Sequence, residues 1–179
     1  NSSSSVIQSK VTGNIIFVLL PPLSHAEFFW AYVVAATIRG LIVGAGVFLV
    51  TLVTSSVPWP NPLWALAFAL MVGGILGVLG LLAGIWADKF DQMAAFQNFI
   101  IMPLTFLSGV FYSVHTLPAF WQGVSHLNPF FYMIDGFRYA FFGIADVNPW
   151  LSLAIVGASF AGLSFSCIQL LRSGYKLRR

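Results

Sequence analysis

Apolar positions run almost without interruption along this chain, and a few short polar groups cut the run into pieces. No Asp, Glu, Lys or Arg occurs from Gly40 to Ala87. An apolar helix needs about 20 residues to cross a hydrocarbon layer of about 30 Å, so this stretch is too long for one span. Thr54-Ser-Ser-Val-Pro-Trp-Pro-Asn-Pro62 divides it. Its three prolines lie among polar residues and mark a turn outside the hydrocarbon. The pattern therefore predicts one helix over about 24–53 and another over about 63–86. Ser24 follows Pro21-Pro22 and suits a helix cap. Glu27 then falls in the first turn, where the positive end of the helix dipole favours it. At 1.5 Å per residue the first helix is about 45 Å long. Its first third is expected at the interface or in cytoplasm, with Trp30 and Tyr32 at headgroup level.

Asp88-Lys89-Phe-Asp91 closes the second span. A third is expected over about 94–114, kinked at Pro103, with Thr105 and Ser108 placed to satisfy freed carbonyls. Residues 115–148 are mixed. Pro118 to Leu127 reads as a short amphipathic helix that Asn128-Pro129 ends, and Phe130 to Gly143 as a second, very aromatic piece. Asp135 and Arg138 share a face of that piece at a spacing that allows an ion pair. Both pieces are too short to be independent spans, so they are expected to lie in the outer interface or to dip in and return. The last span is expected over about 150–171. The expected fold class is an all-α polytopic membrane bundle of four transmembrane helices with short re-entrant or interfacial helices. Four spans place Lys10, Lys89, Arg172, Lys176, Arg178 and Arg179 on one side, which the positive-inside rule makes cytoplasmic.

Composition sharpens this picture. Charged residues make up 7% of the chain, against roughly a quarter in a soluble domain, and mean hydropathy is +0.90. Too few polar residues remain to cover a water-facing surface, which disfavours a soluble enzyme and a disordered tail. The net charge of +3 comes from residues too scattered to track phosphates, so no nucleic-acid partner is expected. Cys167 is the single cysteine and reads as a small packing residue. The chain begins Asn-Ser-Ser-Ser-Ser without a charged region ahead of a short apolar core, so no signal peptide is expected. It reads as the C-terminal part of a longer protein.

Catalytic constellations are missing from the sequence. It has no Gly-x-x-x-x-Gly-Lys-Ser/Thr loop and no Gly-x-Ser-x-Gly elbow. His25, His115 and His126 have no ligand-spaced partners for zinc. Gly40/Gly44, Gly73/Gly77 and Gly80/Gly84 are each four apart, a spacing that lets helices approach closely, either within one bundle or at a homodimer seam. Arg39 lies one to two turns into the membrane by this count. It either snorkels to phosphates or lines the inner mouth of a translocation path.

Three stretches carry a resemblance. Pro103-Leu-Thr-Phe-Leu-Ser-Gly-Val-Phe-Tyr-Ser113, Leu117-Pro-Ala-Phe-Trp-Gln-Gly-Val-Ser-His-Leu-Asn-Pro129 and Tyr132-Met-Ile-Asp-Gly-Phe-Arg-Tyr139 resemble the ABC-2 type permease family, closest to its bacterial drug and lipo-oligosaccharide export branch. The resemblance implies six helices, of which these would be the third to sixth. It also implies a cytoplasmic coupling loop over 1–23 ahead of a transmembrane domain over 24–179. Lys10, Asn14, Leu19, Leu20, Pro21, Ser24 and Glu27 would form or flank the contact with an ABC ATPase subunit. Relatives often carry acidic residues before their Leu-Leu, where this chain has Gly13-Asn14 and Ile15-Ile16. The family further implies a second permease copy, surrounding lipids, a bacterial inner-membrane location with the C-terminus in the cytoplasm, and ATP and Mg bound only by the partner. Within that reading Arg39, Pro103, Ser108 and Phe111 are candidate lining or moving residues. The competing readings are a non-transporting membrane scaffold or anchor and a membrane-embedded lipid-modifying enzyme, which the absent catalytic groups disfavour.

Overall fold

A computed structural model describes residues 2–12, 24–54, 59–111 and 114–174. Among them every regular element is helical: α1 (Ser2–Val11), α2 (His25–Thr54), α3 (Pro62–Trp86), α4 (Phe90–Phe96), a π-helical turn (Gln97–Ile101), α5 (Met102–Phe106), a 3-10 turn (Val114–Thr116), α6 (Ala119–Leu127), α7 (Pro129–Phe142) and α8 (Pro149–Ser173). Three of these, α2, α3 and α8, are long and apolar enough to cross a membrane, with mean hydropathies of 2.2, 2.5 and 1.9. The fold is the helical membrane bundle that the sequence predicts.

The same corner starts three helices. Pro62, Pro129 and Pro149 each take the first helical turn after an asparagine. Proline there loses no helix hydrogen bond, and its fixed φ suits the helix. Asn128 and Asn148 also accept the backbone N–H two residues on, from Phe130 and Trp150. Asn128-Pro129, expected as a stop, is thus also a start. Gly143 and Gly174 close α7 and α8 in the left-handed conformation, at φ of 72° and 67°, where a side chain would be strained.

α3 is the hub. Two apolar clusters surround it. One, near its C-terminus, joins Val6 of α1, Phe29 and Val33 of α2, Val78, Leu81 and Ile85 of α3, and Leu171 of α8. The other, toward its N-terminus, joins Phe68 and Ile75 to Phe130, Phe131 and Met133 of α7 and Val156 of α8. Glycines set the distances. Gly77 faces Val33 and Ala36, Gly73 faces Thr37, and Gly74 lies under the Phe160 ring. Gly73/Gly77 therefore serves packing within the bundle. At Gly40, Gly44 and Gly46 an added Cβ would meet nothing within 4 Å.

This register fixes how α2 lies along α3. The α2 and α3 axes run antiparallel with Val33 opposite Gly77 and Thr37 opposite Gly73, and the Phe48 ring packs on Trp59, 4.6 Å between centroids. Ser24 is therefore level with the end of α3 near Trp86. The surplus length of α2 lies at its other end, past Pro62. The first third of α2 packs beside the C-terminal part of α3, through Phe29 and Val33.

The third expected span also differs. From Phe90 the backbone stays helical only to Phe106, about 25 Å at 1.5 Å per residue. The kink at Pro103 takes the form of the π turn just before it. Proline has no N–H for the carbonyl of Phe99, and the Met102 N–H reaches back five residues to Gln97, so the ladder has slipped before the proline arrives. Ser108 then bonds back to Thr105, and Gly109 turns the chain at φ 79°. The α6–α7 hairpin occupies the remaining depth: α7 begins beside Phe68 and Ile75 and rises until the Ala140 carbonyl accepts the Asn61 N–H.

Candidate functional site

The Asn61 corner and the α2 surplus bound an apolar crevice of about 920 Å³ between α2, α3 and α7. Below it the helices touch at Gly73 and Gly77; above Gly40 they diverge. Gly40, Gly44 and Phe48 form one wall, Leu66 and Gly73 another, and Phe141 the top. Trp59 packs on Phe48 and lies 6.4 Å from Phe141, nearly parallel. No charged side chain lines the space, and the Thr51 hydroxyl is turned to the Val47 carbonyl. Such a surface holds hydrocarbon or flat aromatic groups and performs no proton chemistry. The glycine pairs could have pointed here, but spacing alone reads as packing. That α2 and α3 diverge depends on a tertiary crossing that no local pattern encodes.

A second, polar constellation lies on α7. Asp135 is 1% exposed. Its carboxylate accepts the N–H of Asp146 at 2.7 Å, the N–H of Val147 at 3.3 Å and the Ser152 hydroxyl at 3.3 Å. The expected Asp135–Arg138 pair is not formed. The 143–148 segment folds back over α7 and fills the Asp135 carboxylate with backbone donors. Arg138 turns instead to Asp146, at 2.7 Å, and to the Gly109 carbonyl, at 3.1 Å. The Asn128 side-chain amide donates to the Leu104 carbonyl at 2.6 Å. Leu104 lies in the last turn of α5 and Gly109 in the turn just beyond it, where the ending helix leaves carbonyls without backbone donors. A polar backbone group in hydrocarbon must be satisfied within the protein, and α7 supplies the donors.

The other expected residues fall apart from both places. Ser24 and Glu27 cap α2 reciprocally: the Ser24 N–H donates to the Glu27 carboxylate at 2.7 Å, and the Glu27 N–H to the Ser24 hydroxyl at 3.2 Å. Lys10 is described by its backbone in α1 only, and Asn14, Leu19, Leu20 and Pro21 lie outside the described residues. Pro103 is exposed. Ser108 is buried, with its hydroxyl donating to the Thr105 carbonyl. Phe111 is exposed beside Phe106. Arg39 is exposed on α2 and is absent from the crevice lining. Among the described residues no group of His, Cys, Asp and Glu gathers to hold a metal.

Comparison with known proteins places this arrangement. The model of the ABC-2 type transporter family matches residues 1–142. The inner membrane transport permease YadH of Escherichia coli K12 is 38% identical over 99% of this chain and 70% of its own length. Nodulation protein J of Sinorhizobium fredii is 30% identical over 58% of this chain and 39% of its own. Nodulation protein J of Rhizobium leguminosarum bv. trifolii is 30% identical over 63% and 41%. No solved structure matches.

Proposed function

The chain belongs to the ABC-2 type transporter family as a transport permease subunit, and from that premise we propose that it exports an amphiphile, drug-like or a lipid-linked saccharide, across the bacterial inner membrane. The apolar crevice beneath Trp59 and Phe141 carries this reading. It offers an open apolar groove for an apolar body on a helix that would otherwise face lipid, and it needs no catalytic group.

The family implies an ABC ATPase partner, and ATP with Mg belongs there. In this reading the basic end, with Lys89 and Arg172, faces the cytoplasm with the C-terminus. Residues 1–23 act as the coupling loop of a transmembrane domain over 24–179. Lys10, Asn14, Leu19, Leu20 and Pro21 form its ATPase-facing part, and Ser24 and Glu27 anchor it to α2. Two permease copies enclose the path. ATP-driven closure of the partner moves the loop, the loop moves α2, and the crevice between α2 and α3 changes its opening. Pro103 and the π turn let α5 move with α7. Ser108 and Phe111, in the turn beyond the end of α5, shift with it. These motions are conformational steps driven from outside the chain.

Co-purification with the ABC ATPase in detergent tests the assignment. We expect a stable complex whose ATP turnover falls about tenfold in a Leu19→Asp/Leu20→Asp variant, the magnitude of one lost apolar docking contact. A chain that captures no ATPase, and whose loop variants change no turnover, is a scaffold.

A further inference from the structure

The broken third span is joined to its surroundings by different partners at its two ends. At the base, α4 lies against α1 and the end of α3. The Ser4 hydroxyl of α1 is 3.9 Å from the Met93 sulfur, and the Asp88 N–H donates to the Gln92 side-chain carbonyl at 2.7 Å. At the top, two side chains of the hairpin hold α5 and its closing turn. Asn128 donates to the Leu104 carbonyl at 2.6 Å, and Arg138 to the Gly109 carbonyl at 3.1 Å.

Neither tether is local. Asn128 and Arg138 stand 24 and 29 residues from their acceptors, and each is also bonded to its own side. Asn128 Oδ1 accepts the Phe130 N–H at 3.0 Å, and Arg138 pairs with Asp146 at 2.7 Å. Asp146 and the Ser152 hydroxyl donate to Asp135, while the Ala140 carbonyl accepts the Asn61 N–H at 3.3 Å. Both tethers therefore spring from a piece already joined to the starts of α3 and α8.

Between base and top lies the weakest stretch of helix. The Met102 N–H reaches back to Gln97, and Pro103 brings no N–H for the Phe99 carbonyl. Helices bend where the ladder is slipped or broken. A bend there leaves both tethers whole. Parting α5 from α7 instead would strand the Leu104 and Gly109 carbonyls, which hydrocarbon cannot satisfy.

We propose that Asn128 and Arg138 are positioning residues for transport: they keep α5 with α7 while α4 swings about the π turn. The outer end then stays closed as the basic end moves. This deepens the permease reading and rests on it, because the partner ATPase supplies the motion through residues 1–23.

The test uses the permease co-purified with its ABC ATPase in nanodiscs. Spin labels are carried on exposed positions, as Asp91→Cys with Phe142→Cys and as Phe106→Cys with Phe142→Cys, both with Cys167→Ser. Asp91 lies about 12 Å from Phe99 along the helix, so a bend of about 20° moves it by up to about 4 Å. Trapping with ATP and vanadate is expected to shift the Asp91–Phe142 distance by that amount and to leave Phe106–Phe142 unchanged. Asn128→Ser keeps an acceptor for the Phe130 N–H but is too short to reach Leu104. Arg138→Lys keeps a cation for Asp146 but cannot span to Gly109 as well. In the double variant the Phe106–Phe142 distance is expected to become dependent on nucleotide. Gly174→Ala, strained at φ 67° at the far end of α8, lowers stability and should leave that distance fixed. A Phe106–Phe142 distance that moves with both tethers intact overturns the proposal. So does an Asp91–Phe142 distance that stays still, or a double variant that behaves like the parent. The first comparison changes neither tether, so it decides the matter even where the double variant does not assemble. A chain that captures no ATPase removes the permease reading and the tethers' role with it. A complex that turns over ATP while Phe106–Phe142 moves removes only the tethers' role.

Discussion

Two arginines show how differently this chain treats charge at its two extremes of packing. Arg138 is half-enclosed on α7, with a carboxylate on one side of its guanidinium and a backbone carbonyl on the other. Arg39 stands bare on α2, where only Phe29 and Val33 are buried. Around α7 the polar groups pair across elements: Asn128 and Arg138 serve the carbonyls of Leu104 and Gly109, and the 143–148 segment serves Asp135. Around Arg39 on the shaft of α2 no such partner stands among the described residues. A buried polar group that is fully paired fixes local geometry.

Perturbing each side sharpens the contrast. Asp135→Ala leaves two backbone N–H groups and the Ser152 hydroxyl without an acceptor. It is expected to destabilise by about 3 kcal/mol, read as a fall in thermal midpoint in detergent. Arg138→Met strands the Gly109 carbonyl and part of Asp146; because the pair is partly exposed, the expected loss is smaller, about 1.5 kcal/mol in the same assay. A cycle with Asp146→Asn should return a positive coupling between the two. Arg39→Met reverses the sign. Removing a charge that has no partner among the described residues from the apolar shaft of α2 should raise the stability of the isolated chain by about 1 kcal/mol. A fall instead would mean that Arg39 already has a partner, and the comparison would fail. The smallest effect is expected at Gly40, where nothing lies within 4 Å of an added Cβ. Gly40→Ala should gain about 0.5 kcal/mol through backbone entropy alone.

The long helices were legible because hydropathy and punctuation agree. Ranges of 24–53, 63–86 and 150–171 meet His25–Thr54, Pro62–Trp86 and Pro149–Ser173 within two residues. The capping pair Ser24/Glu27 was legible for the same reason, since it acts within one turn. What escaped depends on tertiary register. Nothing local says that α5 stops at Phe106, because the donors that make the early stop tolerable come from Asn128 and Arg138. Helical spacing placed Asp135 beside Arg138, but a returning loop claimed the carboxylate first. The register of α2 on α3, with Thr37 against Gly73, likewise comes from packing between helices that no local pattern encodes.

The π turn ahead of Pro103 has a geometrical consequence for the whole outer half. Its slipped ladder amounts to one extra residue, and each residue turns a helix by about 100°. Shortening the 97–101 segment by one would regularise the coil. It would also swing the Leu104 carbonyl away from Asn128 and aim the proline side of α5 in another direction. The irregularity thus works as an angular spacer, aligning a helix rooted at the basic end with a hairpin that enters from the opposite one.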